Sequence, residues 1–361
     1  MTKFKAAFVG CGGIATCKHL PALRSIPEVE TVAFCDLIPE RAENLAREFG
    51  ADGAQTYTDY KQMIQEHPEV DIVYVCTPNR SHAEISIYAL EAGKHVMCEK
   101  PMARTGAEAR AMCEAAKKSG KTLTIGYQNR QRPDTKYLKA ACENGELGEI
   151  YFAKAHALRR RAVPTWGVFL DAYNQGGGPL IDIGTHALDM TLWMMDNYKP
   201  KYVVGTTYRK LADQKETGNA WGDWDPEKFT VEDSAFGFIV MENGATIELE
   251  TSWALNIEDE GEAQTTLCGT KGGATNHGIV SINTVKHGKR CVERPQLATG
   301  GADYFGGTEV TAEVAEQRQW IDALINGTEP CVLPEQACVV TEILEAIYES
   351  AKTGKPVYFN R

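Results

Sequence analysis

The chain has 361 residues, of which 43% are hydrophobic and 24% charged, and its formal net charge at pH 7 is −11; this length predicts two domains. An acidic chain lacks the basic field that attracts nucleic acid or an anionic membrane, so we expect neither as a partner. The 11 cysteines form no C-x-x-C pair, and the apolar run in MTKFKAAFVGCGG is short for a secretory signal. No stretch of the sequence reaches the length of a membrane span. Together these features indicate a cytoplasmic protein with reduced thiols.

Short apolar strands alternate with amphipathic helices in the first third of the chain. The predicted strands are FKAAFVG, VETVAFC, VDIVYVC, KHVMC and KTLTIG, and the helices between them cover 14–24, 39–49, 81–92 and 106–118. Nearly continuous apolar strands separated by helices are typical of a parallel sheet that is covered on both faces. The pattern therefore predicts an α/β protein whose first domain, residues 1–125, is a Rossmann-type dinucleotide-binding domain.

After residue 126 strands dominate. The predicted strands are EIYFAKAHA, KYVVGTTY, SAFGFIV, ATIELETSW, AQTTLCG and weaker ones to about residue 292, and the helices cover 134–143, 179–195, 309–325 and 334–352. Asn243-Gly244 separates two alternating runs, which is typical of a β-hairpin. We expect a second domain, residues 126–361, of the α+β class with a large, mainly antiparallel open sheet that binds substrate and forms oligomers.

A glycine loop, GCGGIA, follows the first strand with G-x-G-x-x-A spacing. Gly10 allows the tight turn, Gly12 allows a pyrophosphate to approach the backbone, and the next helix offers N–H groups to phosphate. Asp36 ends the second strand, where a carboxylate binds ribose hydroxyls and repels a 2′-phosphate. Arg41 could instead pair with that phosphate. The loop predicts a dinucleotide site that favours NAD over NADP, and an ordinary glycine-rich turn is the alternative.

Two further motifs follow apolar strands, CTPNRSH at 76–82 and CEKP at 98–101. Ligands of open parallel sheets bind beyond the carboxyl ends of the strands, so both motifs are expected beside the cofactor. A helix entry with Ser81 as N-cap and Glu84 completing a capping box is the alternative for the first. In the CEKP motif, partial burial would lower the pKa of Lys100 and let it exchange a proton. The alternative interpretation of this motif is a surface lysine before a proline turn.

The fourth motif, GGGPLIDIGTHALD, covers residues 176–189. Proline after a glycine run predicts a helix start, and the glycines allow another backbone to approach closely. Asp182 and His186 stand four residues apart and therefore share a helix face. An aspartate beside a histidine can orient the imidazole and support its charge during proton abstraction. Taken alone, such a histidine is more often a hydrogen-bonded core residue.

The chain resembles the Gfo/Idh/MocA family of glucose-fructose oxidoreductase-like and inositol dehydrogenase-like enzymes, because it contains both an E-K-P and a G-G-G-x-x-x-D-x-G-x-H motif. The resemblance covers essentially the whole length of the chain. The resemblance implies that Lys100, Asp182 and His186 are catalytic residues flanking the nicotinamide and the reacting carbinol. It also implies a cis bond before Pro101 and homodimers or homotetramers built across the second sheet. The residues expected to bind the cofactor are Gly10, Gly12, Gly13, Ile14, Asp36, Arg41, Thr77, Pro78, Asn79, His82, Glu99, Lys100 and Gln128.

Three consecutive arginines and a tryptophan, in RRRAVPTWG, bear on the substrate. Alternate arginines on a strand would face opposite sides, and Trp166 can stack on a pyranose ring while Arg160 donates to its hydroxyls. A solvated strand end with the tryptophan in the core is the alternative. The segment looks like that of family members that oxidise the C3 hydroxyl of glucosides, so the expected substrate-binding residues are Lys100, Arg160, Trp166, Asp182 and His186.

These motifs predict an NAD-dependent dehydrogenase that oxidises a secondary hydroxyl of a sugar, a glycoside (C3 favoured) or a cyclitol. The base is either His186 or Lys100, and no metal is expected because the histidines are scattered. An NAD-retaining glycosidase and a non-catalytic, dinucleotide-sensing regulator are the alternatives. Because Cys11, Cys76 and Cys98 fall beside the cofactor motifs, we also expect thiol reagents to inhibit.

Overall fold

The computed structural model describes residues 3–297 and 311–359, and the chain divides into two compact units. The first unit contains residues 1–128 and 310–341, and the second contains residues 129–309 and 342–361. The sequence-based division instead has one boundary, after residue 125, and assigns 310–341 to the second domain. That boundary stays a prediction.

The sheet of the first unit has six parallel strands in the order β3-β2-β1-β4-β5-β6. The strands are β1 Phe4–Val9, β2 Val29–Cys35, β3 Gln55–Tyr57, β4 Ile72–Val75, β5 His95–Cys98 and β6 Leu123–Ile125. The helices are α1 Leu20–Leu23, α2 Pro39–Phe49, α3 Tyr60–Glu66, α4 His82–Glu91 and α5 Gly106–Ser119. The predicted Rossmann-type parallel sheet is confirmed. Strand order reverses between β1 and β4, and ligands of such sheets bind in the crevice beyond this point.

Helices and strands of the second unit alternate less regularly. The helices are α6 Pro133–Glu143, α7 Ala172–Gln175 and α8 Thr185–Met195. The strands are β7 Ile150–Leu158, β8 Pro200–Tyr208, β9 Ser234–Met241, β10 Thr246–Ser252, β11 Gly261–Gly269, β12 Gly272–Thr275, β13 Ser281–Lys286, β14 Lys289–Glu293 and β15 Val357–Tyr358. They form one sheet in the order β14-β13-β12-β11-β7-β10-β9-β8-β15, in which only the β7–β10 pair is parallel among the described strands. The mainly antiparallel sheet is confirmed.

Two predicted local features can be compared directly with the structure. The hairpin at Asn243-Gly244 is confirmed, since β9 and β10 pair antiparallel and Gly244 has a φ of +88°, a backbone conformation that glycine adopts without strain. The helix predicted over 179–195 is not α-helical throughout. It opens with a π-helical turn, Leu180–Gly184, before α8 begins.

Two helices, α9 Ala312–Asn326 and α10 Pro334–Thr353, complete the secondary structure. Residues 309 and 310 of the helix predicted over 309–325 lie outside the described residues. Trp320 and Ile321 of α9 are buried in the first unit's core with Phe8 and Tyr74, whose rings stack 4.6 Å apart. Over 3–297 and 311–359, no helix combines the length and the apolar character that crossing a bilayer requires.

Candidate active site

The glycine loop of the first unit passes very close to the end of β4. Gly10 has a φ of +92°, and a Cβ at this position would lie 2.5 Å from the carbonyl carbon of Cys76. Only glycine fits there, both for conformation and for space. By contrast, a Cβ on Gly12 or Gly13 would meet nothing within 4 Å. These two glycines therefore border open space, where a phosphate could reach the backbone N–H groups.

Asp36 lies at the end of β2, where hydrogen bonds hold its carboxylate. Oδ2 accepts from the backbone N–H of Cys11 at 2.8 Å, and Oδ1 accepts from that of Ile38 at 2.9 Å. The apolar side chains of Leu37 and Ile14 are exposed in the same part of the first unit. A fixed carboxylate with apolar side chains nearby suits the ribose and adenine of a dinucleotide. Arg41 is exposed on α2.

His82 fastens the turn after β4 to the turn after β5. Its ring is buried, with Nε2 2.8 Å from the Thr77 carbonyl oxygen and Nδ1 2.8 Å from that of Pro101. Burial lowers the pKa of His82, and the two carbonyl contacts oppose this shift. Because both ring nitrogens are occupied, His82 positions these turns rather than presenting a free nitrogen to a ligand. The Lys100–Pro101 bond is cis, as the resemblance implies.

The CTPNRSH segment enters α4 without a capping box. The side chain of Ser81 makes no capping hydrogen bond, and Glu84 instead accepts one from the Tyr60 hydroxyl at 2.7 Å. The capping-box alternative is therefore wrong. Thr77 Oγ1 is buried and has no hydrogen-bond partner among the described residues. An unpaired buried hydroxyl is costly, so Thr77 fits a position that a bound ligand would complete. Pro78 and Asn79 border it, with Asn79 opening a short 3₁₀ turn.

Glu99 is buried and its carboxylate is occupied within the protein. Oε1 lies 2.7 Å from Lys18 Nζ and 2.8 Å from His19 Nε2, and Oε2 accepts the backbone N–H of Lys100 at 3.1 Å. Burial by itself would raise the pKa of Glu99, but Lys18 and His19 hold it well below the ordinary value. That Glu99 contacts a cofactor stays a prediction, and within the protein its carboxylate supports the backbone of Lys100.

Lys18 belongs to a π-helical turn, Ala15–His19, and contacts two side chains besides Glu99. Its Nζ lies 3.0 Å from Glu316 Oε2 and donates to Gln128 Oε1 at 3.1 Å. Glu316 is buried, and burial raises its pKa to about 7 although Lys18 opposes the shift. Lys18 is therefore the centre of a buried charged cluster, which also contains Glu99, Glu316, His19 and Gln128. Gln128, predicted to contact the cofactor, directs its side-chain oxygen to Lys18.

The three cysteines beside the cofactor motifs are protected from thiol reagents. Cys11, Cys76 and Cys98 are buried, and burial raises the pKa of each thiol, that of Cys11 to about 12. Since the thiolate is the reactive form, a rise from 9.0 to about 12 lowers the thiolate fraction of Cys11 at neutral pH roughly a thousandfold. The burial of these cysteines disfavours the expected inhibition through them, which stays a prediction.

We expect iodoacetamide at pH 7.5 to leave Cys11, Cys76 and Cys98 unmodified while the exposed Cys17 is alkylated. Peptide mass spectrometry over a time course measures each rate, and the urea-unfolded chain, in which all four cysteines should react, is the control. Alkylation of Cys76 in the folded chain as fast as that of Cys17 would contradict the prediction.

In the second unit, Glu232 anchors the start of the helical segment that carries Asp182 and His186. Its carboxylate accepts the backbone N–H groups of Gly178 and Leu180, at 2.9 and 3.2 Å, and the hydroxyl of Tyr348 at 2.8 Å. A Cβ on Gly178 would lie 2.2 Å from the Glu232 carbonyl oxygen, and one on Gly177 would lie 1.9 Å from the Tyr348 hydroxyl. The predicted close approach at the glycine run is confirmed. Glu232 was not predicted from the sequence, because its partners Gly178 and Leu180 lie more than 50 positions away.

Asp182 and His186 are both half-buried, Asp182 in the π-helical turn and His186 in the first turn of α8. Asp182 Oδ2 accepts a hydrogen bond of 3.0 Å from Nε1 of Trp253, which is fully buried. This bond fixes one carboxylate oxygen, so the aspartate is well suited to orient a neighbouring group. Asp189 in the same motif is buried and forms an ion pair with Arg130, which is buried as well.

A row of aromatic rings extends from Trp253. Phe169 lies 6.4 Å from Trp253 and 6.0 Å from Trp166, and Trp166 lies 5.0 Å from Trp221. Trp166 is 52% exposed and Trp221 is 44% exposed, so the alternative that places Trp166 in the core is wrong. Trp221 was not predicted from the sequence, since its partner is 55 positions away and no local pattern connects them.

The three arginines follow β7 rather than belong to it, because the strand ends at Leu158. The prediction that they alternate on a strand is therefore wrong. Arg159 pairs with Glu262, and Arg161 donates to the Thr217 carbonyl and Asn256. Arg160 is exposed, and its guanidinium has no hydrogen-bond partner in the part of the chain that the structure describes. Within that same part, no three His, Cys, Asp or Glu side chains are arranged to hold a metal.

Comparison with known proteins covers both units. Residues 4–127 match the family description "Oxidoreductase family, NAD-binding Rossmann fold", and residues 139–359 match "Oxidoreductase family, C-terminal alpha/beta domain". The chain is 38% identical to the D-glucoside 3-dehydrogenase of Escherichia coli K12 over 98% of its length and 97% of the relative's. It is similar to the crystal structure of GenD2 from gentamicin A biosynthesis with NAD, at 26% identity and a TM-score of 0.78, over 100% of this chain and 97% of the other. Its fold is also similar to that of levoglucosan dehydrogenase in complex with NADH, at 22% identity and a TM-score of 0.84, over 99% of each chain.

Proposed function

Because the chain belongs to the Gfo/Idh/MocA family of oxidoreductases, with its NAD-binding Rossmann fold, we propose that it is a dehydrogenase of the C3 hydroxyl of a glycoside. The observation that carries this proposal is its likeness to D-glucoside 3-dehydrogenase along nearly the whole chain. An exposed pair of tryptophans in the unit that holds Asp182 supports a sugar substrate, since indole rings stack on the apolar face of pyranoses.

The residues of the first unit fit NAD. The open backbone at Gly12 and Gly13 would take the pyrophosphate, Asp36 the adenosine ribose, and the unpaired hydroxyl of Thr77 a polar group of the cofactor. Ile14, Pro78 and Asn79 border these groups in the chain and belong to the proposed set.

Replacing Asp36 by Asn should weaken NAD binding by about tenfold to a hundredfold and let NADP be used, because the amide removes the charge that repels a 2′-phosphate. Its oxygen can still accept one backbone N–H, from Cys11 or Ile38. Steady-state kcat/KM for both cofactors measures the change in preference. Glu40→Gln, an exposed neutral substitution on α2, is the control. An unaltered preference for NAD in the Asp36 variant would contradict the assignment.

Bound NAD would supply the acceptor for the hydride of the carbinol carbon. The chain's residues then have to remove and hold the hydroxyl proton. We assign that proton to His186, oriented by Asp182, and we assign stabilisation of the developing alkoxide to Lys100. Lys100 is the alternative base, since a neutral amine can also accept the hydroxyl proton.

The decisive experiment incubates the chain with NAD and a panel of glucosides, free sugars and inositols, with NADP in parallel. Absorbance at the NADH band gives rates, and NMR of the product locates the new carbonyl. A 3-keto glycoside supports the proposal, whereas a carbonyl at another carbon or exclusive oxidation of inositols overturns the C3 assignment. Free sugar released from a phenyl glucoside without net NADH would instead support the NAD-retaining glycosidase.

We further propose that the enzyme is a homodimer or homotetramer formed across the sheet of the second unit. One row of side chains on that sheet contains Val204, Phe238, Glu248 and Lys154 in register. Val204 and Phe238 are exposed there, and Lys154 pairs with Glu248 at 3.2 Å. A phenylalanine that is 40% exposed on the face of a sheet favours a surface that a partner covers. Light scattering of the purified chain measures the mass, and the cytoplasmic location stays a prediction.

A further inference from the structure

The two exposed tryptophans that support a sugar substrate belong to loops of the second unit. Trp166 and Trp221 meet edge to face, and each leaves about half of its surface in water. Large rings kept exposed forgo the stabilisation that burial would give them. A cluster of exposed apolar side chains in a folded chain marks a binding surface.

Hydrogen bonds hold the two loops that carry these rings. Val163 donates its backbone N–H to Asn219 Oδ1 at 2.8 Å, and the Asn219 side chain donates back to the Val163 carbonyl at 3.0 Å. The Thr165 hydroxyl donates to the Trp221 carbonyl at 2.9 Å. The two loops are therefore held together, and ordering them in advance lowers the entropy lost when a ligand binds.

The rings also connect to the aspartate assigned to the reaction. Phe169 links Trp166 to Trp253 through edge-to-face contacts, and Trp253 donates to the carboxylate of Asp182. The row thus runs from Asp182 outward to solvent-exposed Trp221. A substrate whose reacting sugar lies at Asp182 would extend the rest of its structure along this row.

Cationic side chains accompany the outer rings. The Arg159 guanidinium carbon lies 5.1 Å from the centroid of Trp221, and the pairing with Glu262 fixes it. Arg160, the next residue in the chain, is exposed. Flat ring faces beside hydrogen-bond donors suit a neutral ring that carries hydroxyls.

We propose that Phe169, Trp166 and Trp221 form an aglycone subsite, which binds the ring-bearing aglycone of a glycoside while the sugar to be oxidised lies at Asp182. The enzyme then prefers glycosides whose aglycone is an aryl group or a second sugar over methyl glycosides. This inference rests on the proposed function, since it assumes that Asp182 serves the reacting sugar.

The test compares kcat/KM, with NAD saturating, for phenyl and methyl D-glucopyranosides of both anomeric configurations and for a glucosyl-glucose disaccharide. The wild-type chain should favour the ring-bearing substrates over methyl glucoside by roughly tenfold or more, and Trp221→Ala should lower this preference roughly tenfold. Trp221→Phe should retain most of it. Tyr151→Ala removes an exposed aromatic side chain of β7 and serves as the control.

A preference for both phenyl glucoside and the disaccharide supports a subsite for a sugar ring, and a preference for phenyl glucoside alone supports one for an aryl group. The proposal is overturned if the wild-type chain shows no preference, or if Trp221→Ala and Trp166→Ala leave the preference unchanged. Failure to oxidise any glucoside would sink the proposed function instead. In that case calorimetric titration with phenyl glucoside tests the subsite separately from the reaction. Equal affinities of the wild-type and Trp221→Ala chains for phenyl glucoside would exclude the subsite.

Discussion

Replacing Lys100 by Met, or His186 by Ala, should each lower kcat by about 10²–10⁴-fold while the Kd for NAD changes little. A positioned acid or base contributes an effect of this size to proton transfer, and neither substitution touches the glycine loop or Asp36, which are assigned to the cofactor. Asp182→Asn should lower kcat less, because the amide still accepts the hydrogen bond of Trp253 but carries no charge. Steady-state kinetics and calorimetric titration with NAD measure the two quantities separately.

The pH dependence of kcat/KM then distinguishes the base from the alkoxide-stabilising group. The variant that lacks the base should lose the acid-side limb of the profile, whereas the other variant should keep it at a lower rate. Lys117→Met, at an exposed position near the end of α5, is the control and should match the wild-type chain. Wild-type turnover in both the Lys100 and the His186 variants would remove the proposed mechanism.

Local sequence patterns predicted most of the fold because each strand and helix has its own periodicity. The helix Pro39–Phe49 was predicted with both ends correct, since proline and glycine mark its limits. Strand β3 was missed because two of its three residues are exposed, so it has no apolar run to detect. The π-helical opening of the Asp182 helix was also missed, as spacing alone does not distinguish a π turn from an α turn.

Side chains that support the motifs could not be predicted, because they come from distant parts of the chain. Lys18 and Glu99 are 81 positions apart, and Asp182 and Trp253 are 71 apart. Motifs identify residues that chemistry requires at fixed local spacing. The carboxylates and indoles that hold them in place follow only from the tertiary fold.

The buried charged cluster around Lys18 leads to a prediction about stability. Replacing Lys18 by Met should lower the free energy of unfolding by about 3–5 kcal/mol, because Glu99 would keep its charge in a buried place without its cation. Lys3→Met removes an exposed ion pair, between Lys3 and Glu30, and should cost less than about 1 kcal/mol. Urea unfolding at pH 7 measures both. Equal stability of the two variants would contradict a buried, charged Glu99.

Glu316→Gln should have the opposite effect, and this effect should grow as pH rises from 4.5 to about 7. Burial raises the pKa of Glu316 in the folded chain to about 7 from an ordinary 4.5, so between these values the folded chain keeps a proton that the unfolded chain releases. Stability contributed by this proton is therefore lost as pH rises from 4.5 to about 7, and above about 7 the loss amounts to about 3 kcal/mol. Glutamine does not ionise, so the variant escapes this loss.

The difference in unfolding free energy between Glu316→Gln and the wild-type chain should consequently rise by about 3 kcal/mol from pH 4.5 to pH 8, in favour of the variant. Any cost of accommodating the amide is independent of pH and cancels when the two conditions are compared. The amide oxygen of the variant can still accept from Lys18, whose pairing with Glu99 is retained. A difference that stays constant across this range would mean that Glu316 ionises in the folded chain as readily as in the unfolded one. The cluster would then carry a net negative charge at neutral pH, and Lys18 would have to balance two carboxylates at once.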